Sequence, residues 1–292
     1  MGTYAAVGHV TLDELLSTSE KLRLGGSVSY GSVFAAGLGY TSIIVSRMGR
    51  DLPEDLLEYL RRSGVNTSRI KRTCERTTRF MIKLEGASEA SVLTAACDPI
   101  LPEDLEGLRA DVVHLGPVAS EIQRETAEKA LSIGNIVLLD LQGVVRSFGP
   151  DGRIELQGDR ADEFSGLDLV VHANEAEARA ITGVKEPIRA VERLSGMFWW
   201  ASITLGRGGA VISSPEGLIV TKPPEIRHLD DVGAGDVFTA ALGIALHRGY
   251  SFEDVARFAT ASAAASVLRR GPSAIPEDEI QDLMGQISVN WL

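Results

Sequence analysis

The chain of 292 residues has few cysteines, a deficit of positive charge and no long apolar run. Its two cysteines, Cys74 and Cys97, show no zinc spacing, and they fit a reduced cytoplasmic protein better than a disulfide framework. The formal net charge of -11 argues against binding to nucleic acid. No segment reaches the roughly 18 apolar residues of a membrane span, and the amino terminus has no signal-peptide pattern. We therefore expect a cytoplasmic protein without a nucleic-acid or membrane partner.

Three common catalytic patterns are also missing. The chain has no GxxxxGK[ST] loop, which argues against a P-loop kinase. It has no GxSxG elbow, which argues against a hydrolase of that type. Its five histidines show no HExxH or other ligand spacing, so we interpret them as ordinary polar or core residues.

The most informative segment is DDVGAGDVFTAALGIALHRG, which spans residues 230 to 249. The part after Asp236 is apolar on nearly all sides, a pattern typical of a buried helix. Gly233, Ala234 and Gly235 are then expected to form a tight turn at the start of that helix. The free N–H groups of a helix start, together with the helix dipole, favour an anion there.

Asp236 is expected in the first turn of this helix, beside the anion site. This arrangement suits phosphoryl transfer, because N–H groups can neutralise the moving phosphoryl group while a carboxylate accepts the proton of the acceptor hydroxyl. The alternative is that Asp236 only caps the helix and the glycines only shape a turn.

The same segment resembles a family signature. DDVGAGDVF is similar to the D-T-x-G-A-G-D-x-F motif of the ribokinase (PfkB-type) family of small-molecule kinases, with Asp231 in place of the usual Thr. The resemblance implies an ATP-dependent kinase in which Asp236 is the general base. Gly233, Ala234 and Gly235 would stabilise the charge of the transition state.

The order of predicted elements indicates the fold class. From Asp111 onward, strands and helices alternate, which predicts a mainly parallel sheet with helices on both faces. Residues 80 to 84 and 91 to 95 interrupt this alternation, and they predict short antiparallel strands, which we call the antiparallel excursion. Residues 146 to 163 are predicted to be a loop. With the resemblance, we expect one ribokinase-like α/β domain over residues 1-292, a three-layer sandwich.

The antiparallel excursion corresponds to the small β lid of the family. We expect this lid to be built from segments around 14-26 and 70-98, and to allow a homodimer.

The resemblance also implies an acceptor site. Asp13 matches a family Asp that binds substrate hydroxyls, and Gly25 and Gly26 match a Gly-Gly pair that approaches the substrate. Tyr30 stands where the family has an Asn, which leaves the substrate open. Side chains that follow a strand end are expected to bind substrate as well, because ligands of open α/β sheets lie beyond the carboxyl ends of strands. These are Asp140, Gln142 and Arg146.

A donor site is implied by three further segments. Asn174 and Glu177 match an N-x-x-E motif that helps to place Mg²⁺ and phosphate, with Glu177 acting on the metal through water; alone, they could be a helix cap. Thr204, Gly206 and Gly208 resemble a T-x-G-x-x-G segment that lies along ATP; alone, they could be a hairpin turn. Gly271 ends a helix and turn expected to close over adenine.

The expected activity is transfer of the ATP γ-phosphoryl group to a hydroxyl of a cyclic polyol or sugar. The strings GHVTLD, GGSVSY and LDLQGVVR are similar to those of myo-inositol kinases in this family. The alternatives are a sugar kinase of the ribose or fructose type, a nucleoside kinase, and a non-catalytic sugar-binding protein.

Overall fold

The computed structural model describes residues 2–16, 22–85 and 88–292. Ten of its strands form one sheet in the order β16-β15-β14-β13-β12-β9-β8-β1-β4-β5. The pairs from β13 to β5 along this order are parallel, whereas β14, β15 and β16 run antiparallel to their neighbours. These strands are β1 (Thr3–Val7), β4 (Thr41–Gly49), β5 (Val65–Cys74), β8 (Ala110–Leu115), β9 (Gly134–Asp140), β12 (Val170–Asn174), β13 (Trp200–Thr204), β14 (Ala210–Ser214), β15 (Gly217–Lys222) and β16 (Ser288–Trp291).

Helices cover both faces of this sheet, which confirms the predicted three-layer α/β sandwich. Successive residues of β1 alternate between two buried clusters, with Tyr4 and Ala6 in one cluster and Ala5 and Val7 in the other. The helices are α1 (Ser27–Gly37), α2 (Glu54–Arg62), α3 (Arg124–Leu131), α4 (Gln142–Val145), α5 (Glu175–Thr182), α6 (Pro187–Ser195), α7 (Ala234–His247), α8 (Phe252–Ser266) and α9 (Glu277–Met284).

The central helix is α7, as its sequence predicts. Residues 237 to 245 of this helix are all buried, and α7 packs between α1 and α8 over the sheet. Nearly every face of α7 is apolar and packs closely against its neighbours. This packing fixes the position of the helix, and therefore also the position of the turn that begins it.

A second sheet of four strands, which we call the small sheet, has the order β3-β2-β6-β7. Its strands are β2 (Thr11–Leu15), β3 (Leu22–Gly25), β6 (Arg79–Glu85) and β7 (Ser88–Ala95). The predicted antiparallel pairing of the excursion is observed between β6 and β7. Parts of the two segments expected to form the lid, residues 17–21 and 86–87, lie outside the described residues.

The segment from 146 to 163 was predicted to be a loop, and this prediction was wrong. The structure has a hairpin of β10 (Arg146–Phe148) and β11 (Ile154–Leu156), followed by a 3₁₀ helix over Gly158–Phe164. The hairpin contacts the small sheet, because the N–H of Leu93 donates to the carbonyl of Gly152 at 2.9 Å. Pairing with a distant strand stabilises short strands whose own sequence signal is weak.

The prediction of two reduced cysteines was also wrong, because Cys74 and Cys97 form a disulfide in the structure. Cys74 ends β5, and Cys97 lies where the chain returns from the small sheet. Their Cα atoms are 5.6 Å apart although they are 23 positions apart in sequence. In the described part of the chain, no helix combines the length and apolar character needed to cross a membrane.

Candidate active site

A cleft of about 1540 Å³ lies at the carboxyl ends of the central strands, between the main sheet, the small sheet and the start of α7. Asp140, Asn174 and Thr204 end β9, β12 and β13 and line it, as expected for an open α/β sheet. The predicted site residues that line the cleft are Asp13, Gly26, Tyr30, Asp140, Gln142, Arg146, Asn174, Glu177, Thr204, Gly206, Gly233, Ala234, Gly235 and Asp236.

Three predicted site residues do not line the cleft: Gly25, Gly208 and Gly271. Gly25 lies directly behind Asp13, since a β-carbon at Gly25 would be 2.0 Å from the Asp13 Oδ2 atom. Gly208 ends the 3₁₀ turn over Gly206–Gly208. Gly271 lies near the small sheet, where a β-carbon would be 3.7 Å from Cδ of Arg23.

The turn that begins α7 is formed as predicted. Gly233 is the residue before the helix, and its φ of 83° and ψ of 0° place it in the left-handed region. A β-carbon at Gly233 would lie 2.2 Å from the ring of Tyr30. The glycine therefore serves two needs, a left-handed backbone and close packing on an aromatic ring. The first N–H groups of α7 have no partners within the helix. That of Ala234 donates to the carbonyl of Asp231 at 3.4 Å, and Gly233, Ala234 and Gly235 all line the cleft.

Asp236 follows this turn and has an unusual titration. Burial, and next the charge of Asp140, raise the pKa of Asp236 to about 7. A hydrogen bond from Ser27 and the charges of His172 and Arg146 oppose that rise without cancelling it. A carboxylate with a pKa near neutral pH is well suited to accept and release a proton.

Asp140 lines the same cleft as Asp236 and pairs with a histidine that the sequence analysis did not select. The Oδ1 atom of Asp140 is 3.4 Å from Nδ1 of His172, and Nε2 of His172 is 3.0 Å from the hydroxyl of Thr204. Burial alone would raise the pKa of Asp140, but the nearby histidines His172 and His114 hold it below its usual value. Asp140 therefore stays ionised although it is buried, and its charge raises the pKa of Asp236.

His172 could not have been found from spacing, because its partners come from other strands. Its nearest signal is the string HANEAE, in which His172 precedes Asn174 by two residues at a strand end. The interpretation of His172 as an ordinary core residue was incomplete, since it is buried but also lines the cleft.

Asp13 lies at the small-sheet end of the cleft. It sits in β2 opposite Arg23 of β3, and its Oδ1 atom accepts a hydrogen bond from the Thr11 hydroxyl at 2.7 Å. Since a side chain at Gly25 would collide with Asp13, the glycine leaves room for this carboxylate.

Tyr30 lines the cleft but is only 4% exposed. Its hydroxyl is buried and has no hydrogen-bond partner among the described residues. Burial, followed by the charge of Asp13, raises the pKa of the Tyr30 hydroxyl, so it is a neutral donor at any physiological pH. Unsatisfied buried hydroxyls are rare in native proteins, and a ligand is one means of satisfying them.

Gln142 and Arg146 form one unit. A guanidinium N–H of Arg146 donates to Oε1 of Gln142 at 2.8 Å, and the guanidinium lies 5.9 Å from the ring centre of Phe80 in the small sheet. The backbone carbonyl of Arg146 accepts hydrogen bonds from Ser120 and Arg160 at 2.8 and 2.9 Å. Arg146 is therefore fixed at both ends, and its positive charge acts on Asp236 and Glu177.

Asn174 and Glu177 make the capping box that was the structural alternative for this pair. Oε2 of Glu177 accepts the Asn174 N–H at 2.8 Å, while Oδ1 of Asn174 accepts the Glu177 N–H at 3.0 Å. Burial and then Asp140 raise the pKa of Glu177, with Arg146 opposing. Within residues 2–16, 22–85 and 88–292, no three His, Cys, Asp or Glu side chains are grouped closely enough to hold a metal ion.

Near Thr204 and Gly206 the cleft has a mixed lining. Apolar residues Pro223, Ile226, Ala263, Ala264 and Val267 line it together with Arg207, Lys222, Glu225, His228 and Asp231.

Comparison with known proteins places the chain in a family. Residues 15–279 match the pfkB family carbohydrate kinases. The chain therefore belongs to this family, and it is a phosphotransferase that uses an alcohol group of a sugar or polyol as acceptor.

Individual relatives differ in the activities that their names state. The chain is 27% identical over 261 residues to inositol 3-kinase of Arabidopsis thaliana, covering 86% of this chain and 69% of the relative. It is also 27% identical over 281 residues to ribokinase of Bacillus subtilis, covering 93% of this chain and 91% of the relative.

Solved structures confirm the fold. A pyrophosphate-dependent kinase of the ribokinase family, complexed with a pyrophosphate analog and myo-inositol, aligns with a TM-score of 0.82 at 19% identity, covering 96% of this chain and 100% of that one. Ribokinase of Arabidopsis thaliana, complexed with ribose and ATP, aligns with a TM-score of 0.77 at 22% identity, covering 97% and 98%. At these identities the likeness concerns the fold alone.

Proposed function

We propose that this kinase transfers the γ-phosphoryl group of ATP to a hydroxyl of a cyclic polyol of the myo-inositol type. The observation that carries the proposal is a carboxylate with a raised pKa, Asp236, beside the glycine turn that begins a buried helix. The base and the anion site are thus next to each other, as phosphoryl transfer requires.

In the proposed step, the proton of the acceptor hydroxyl moves to Asp236 as its oxygen forms a bond to the γ-phosphorus. The bond between that phosphorus and the bridging oxygen breaks, and ADP leaves. The N–H groups of Gly233, Ala234 and Gly235 stabilise the negative charge on the transferred group. Burial, and next the charge of Asp140, keep Asp236 basic enough to accept the proton at neutral pH, while the charge of His172 limits that rise.

The acceptor is proposed to bind at the small-sheet end of the cleft. Asp13 would accept hydrogen bonds from ring hydroxyls, while Gln142 and Arg146 would donate to them. Gly26 would allow the backbone to approach the acceptor closely. Gly25 leaves room for the carboxylate of Asp13. Asp140 is paired with His172, so its contribution to acceptor binding is through its charge.

The donor is proposed to bind along Thr204 and Gly206 toward Ile226, Ala264 and Val267. The apolar side chains of Ile226, Ala264 and Val267 line the cleft there, and they offer a purine ring contacts that bare pyrophosphate could not use. This favours ATP as the donor. Gly208 and Gly271 lie outside the cleft, so they would act only by placing the residues that line it.

Mg²⁺ fits this site only through water and donor phosphates, since the described residues offer no cage of protein ligands. Glu177, held by Asn174, would orient the water shell of the ion. When bound, the ion would neutralise phosphate charge.

Glu177→Gln is expected to raise the Mg²⁺ concentration needed for half-maximal activity by roughly tenfold or more, as for other groups that orient a metal. The KM for the polyol should change less. Glu175→Gln is the matched control, because it removes the same charge from an exposed position in the first turn of α5. Equal Mg²⁺ dependence in both variants would remove Glu177 from metal binding.

Tyr30 is proposed to select the acceptor, with its ring as a flat wall for a six-membered ring and its hydroxyl as a donor. Wild-type enzyme should then prefer inositol to ribose by kcat/KM. Tyr30→Phe should raise the KM for inositol about tenfold, the value of one lost hydrogen bond, without lowering thermal stability. Tyr30→Ala should harm the KM for the polyol more than that for ATP.

The alternative is that Tyr30 acts only as a core residue against Gly233. In that case, Tyr30→Ala would lower stability and leave specificity unchanged. A preference of the wild type for ribose would also contradict this role.

The proposed function is tested by ADP release across a panel of polyols, sugars and nucleosides, with ATP or pyrophosphate as donor. The highest kcat/KM should belong to inositol-like rings with ATP. A best acceptor among ribose, fructose or nucleosides would instead support the alternative kinases, and no turnover would support a sugar-binding protein. A cytoplasmic location and a homodimer through the small sheet remain predictions.

A further inference from the structure

A buried ion pair joins the small sheet to the loop that begins α7. Nη1 of Arg23 lies 2.5 Å from Oδ2 of Asp230, and the two side chains are 9% and 8% exposed. Arg23 belongs to β3, the edge strand that leads through Gly26 into α1. Asp230 precedes Gly233 by three residues. The pair therefore connects the base of the small sheet with the proposed anion turn.

Asp230 is also tied into the loop itself. Its Oδ1 atom accepts a hydrogen bond from the N–H of Val232 at 3.1 Å, directly before Gly233. The N–H groups of Leu229 and Asp230 donate to the carbonyl of Val267 at 2.8 and 3.2 Å. One carboxylate oxygen thus binds the guanidinium while the other fixes the backbone of the turn.

The same pair lies beside the acceptor end of the cleft. Arg23 is paired in register with Asp13 across β2 and β3. The charges of Asp13, Arg23 and Asp230 all act on the hydroxyl of Tyr30, whose ring supports Gly233. Arg23 is therefore placed between the residue proposed to bind the acceptor and the turn proposed to bind the phosphoryl group.

Loss of one partner from a buried ion pair leaves an uncompensated charge, which is costly. Without Arg23, the carboxylate of Asp230 would place a net negative charge next to a turn that must attract an anion. The carboxylate would also be free to move, which would release the N–H of Val232.

We propose that Arg23 is a positioning residue for phosphoryl transfer. Through its ion pair with Asp230, it holds the turn from Val232 to Asp236 in its anion-binding shape. The proposal rests on the proposed function, since it assigns the anion turn its role. It makes the small sheet a part of the phosphoryl site as well as of the acceptor site.

The test compares Arg23→Met, Asp230→Asn and the double variant with Arg47→Met. Arg47 provides a matched control, because it pairs with the buried Asp104 at 2.9 Å away from the cleft. Two quantities are measured in the full-length protein: amide hydrogen exchange over residues 229 to 237, and kcat with Mg²⁺, ATP and the best acceptor.

Arg23→Met is expected to speed exchange in this segment and to lower kcat by roughly tenfold, within the range of coupling between contacting residues. The double variant should be less impaired than the product of the two single effects. Arg47→Met should lower thermal stability while leaving exchange in the segment and kcat close to wild type. Arg23→Lys, which keeps the charge, should recover most of the activity. If Arg23→Met does not fold, Asp230→Asn serves as the test variant, because it breaks the same ion pair.

Unchanged exchange over residues 229 to 237 in Arg23→Met, or independent effects of the two substitutions, would overturn the proposal. These outcomes are distinct from a failure of the proposed function. If the wild type phosphorylates no member of the panel, the proposed function fails, whereas the exchange comparison still decides whether Arg23 holds the turn.

Discussion

Asp236→Asn is expected to lower kcat by roughly 10² to 10⁴, the usual contribution of a positioned base. The amide is close in size to the carboxylate and can still accept a hydrogen bond from Ser27, so the fold should be kept. The matched control is Asp278→Asn, which removes an exposed carboxylate from the first turn of α9. A kcat near that of the wild type in Asp236→Asn would show that another group takes the proton.

The pH dependence follows from the same residue. Because the pKa of Asp236 is raised to about 7, kcat/KM should rise with pH through that value as the base ionises. Stability should change in the opposite direction. The folded state holds this proton more tightly than the unfolded state, so the contribution of Asp236 to stability is lost as pH rises from about 4 to about 7.

Asp236→Asn should therefore unfold at a higher temperature than the wild type at pH 8, although it is less active. Thermal unfolding at pH 5 and pH 8 would check this sign. If Asp236→Asn were less stable than the wild type at pH 8, the ionised carboxylate of Asp236 would not destabilise the fold, and burial could not be the cause of its raised pKa.

Gly233→Ala is expected to cause the second large loss, roughly 10² in kcat, since removal of a single donor to a developing charge has effects of this size. The new β-carbon would collide with the ring of Tyr30, and the backbone is in the left-handed region. The turn must therefore move, and its N–H groups move with it.

Gly249→Ala separates the two causes of this loss. Gly249 also has a positive φ, of 69°, but a β-carbon there would meet no atom within 4 Å. It should cost about 1 kcal/mol of stability for the backbone alone and leave kcat unchanged. If Gly233→Ala behaves as Gly249→Ala does, the turn is not part of the phosphoryl site.

The sequence predicted the parts of the site that are local. The turn before Asp236 and the buried helix after it could be inferred because the motif and the apolar pattern are contiguous. The capping box of Asn174 and Glu177 follows from residues three apart. The fold class followed from the alternation of strands and helices, because each unit carries its own periodicity.

The parts that the sequence did not reveal depend on contacts between distant segments. His172 enters the site because β9 and β13 flank β12, which brings Asp140 and Thr204 to either side of it. The strands β10 and β11 have only three residues each, and the turn of their hairpin is held against the small sheet by the hydrogen bond from Leu93 to Gly152. The disulfide depends on the return of the chain from β7 to the end of β5.

The ion pair between Arg23 and Asp230 links residues 207 positions apart. Both residues have an ordinary local interpretation, Arg23 as a polar residue of an edge strand and Asp230 as a loop residue before a helix. Their meeting is set by the packing of the small sheet against the start of α7, which no local pattern encodes.

Phosphoryl transfer to a polyol is tested most directly by ³¹P NMR of wild-type protein incubated with Mg²⁺, ATP and myo-inositol. A phosphomonoester signal should appear as the γ-phosphate signal of ATP declines, and Asp236→Asn should yield this product far more slowly under the same conditions. Release of ADP without a phosphomonoester, or equal product from Asp236→Asn, would contradict phosphoryl transfer to a polyol with Asp236 as the base.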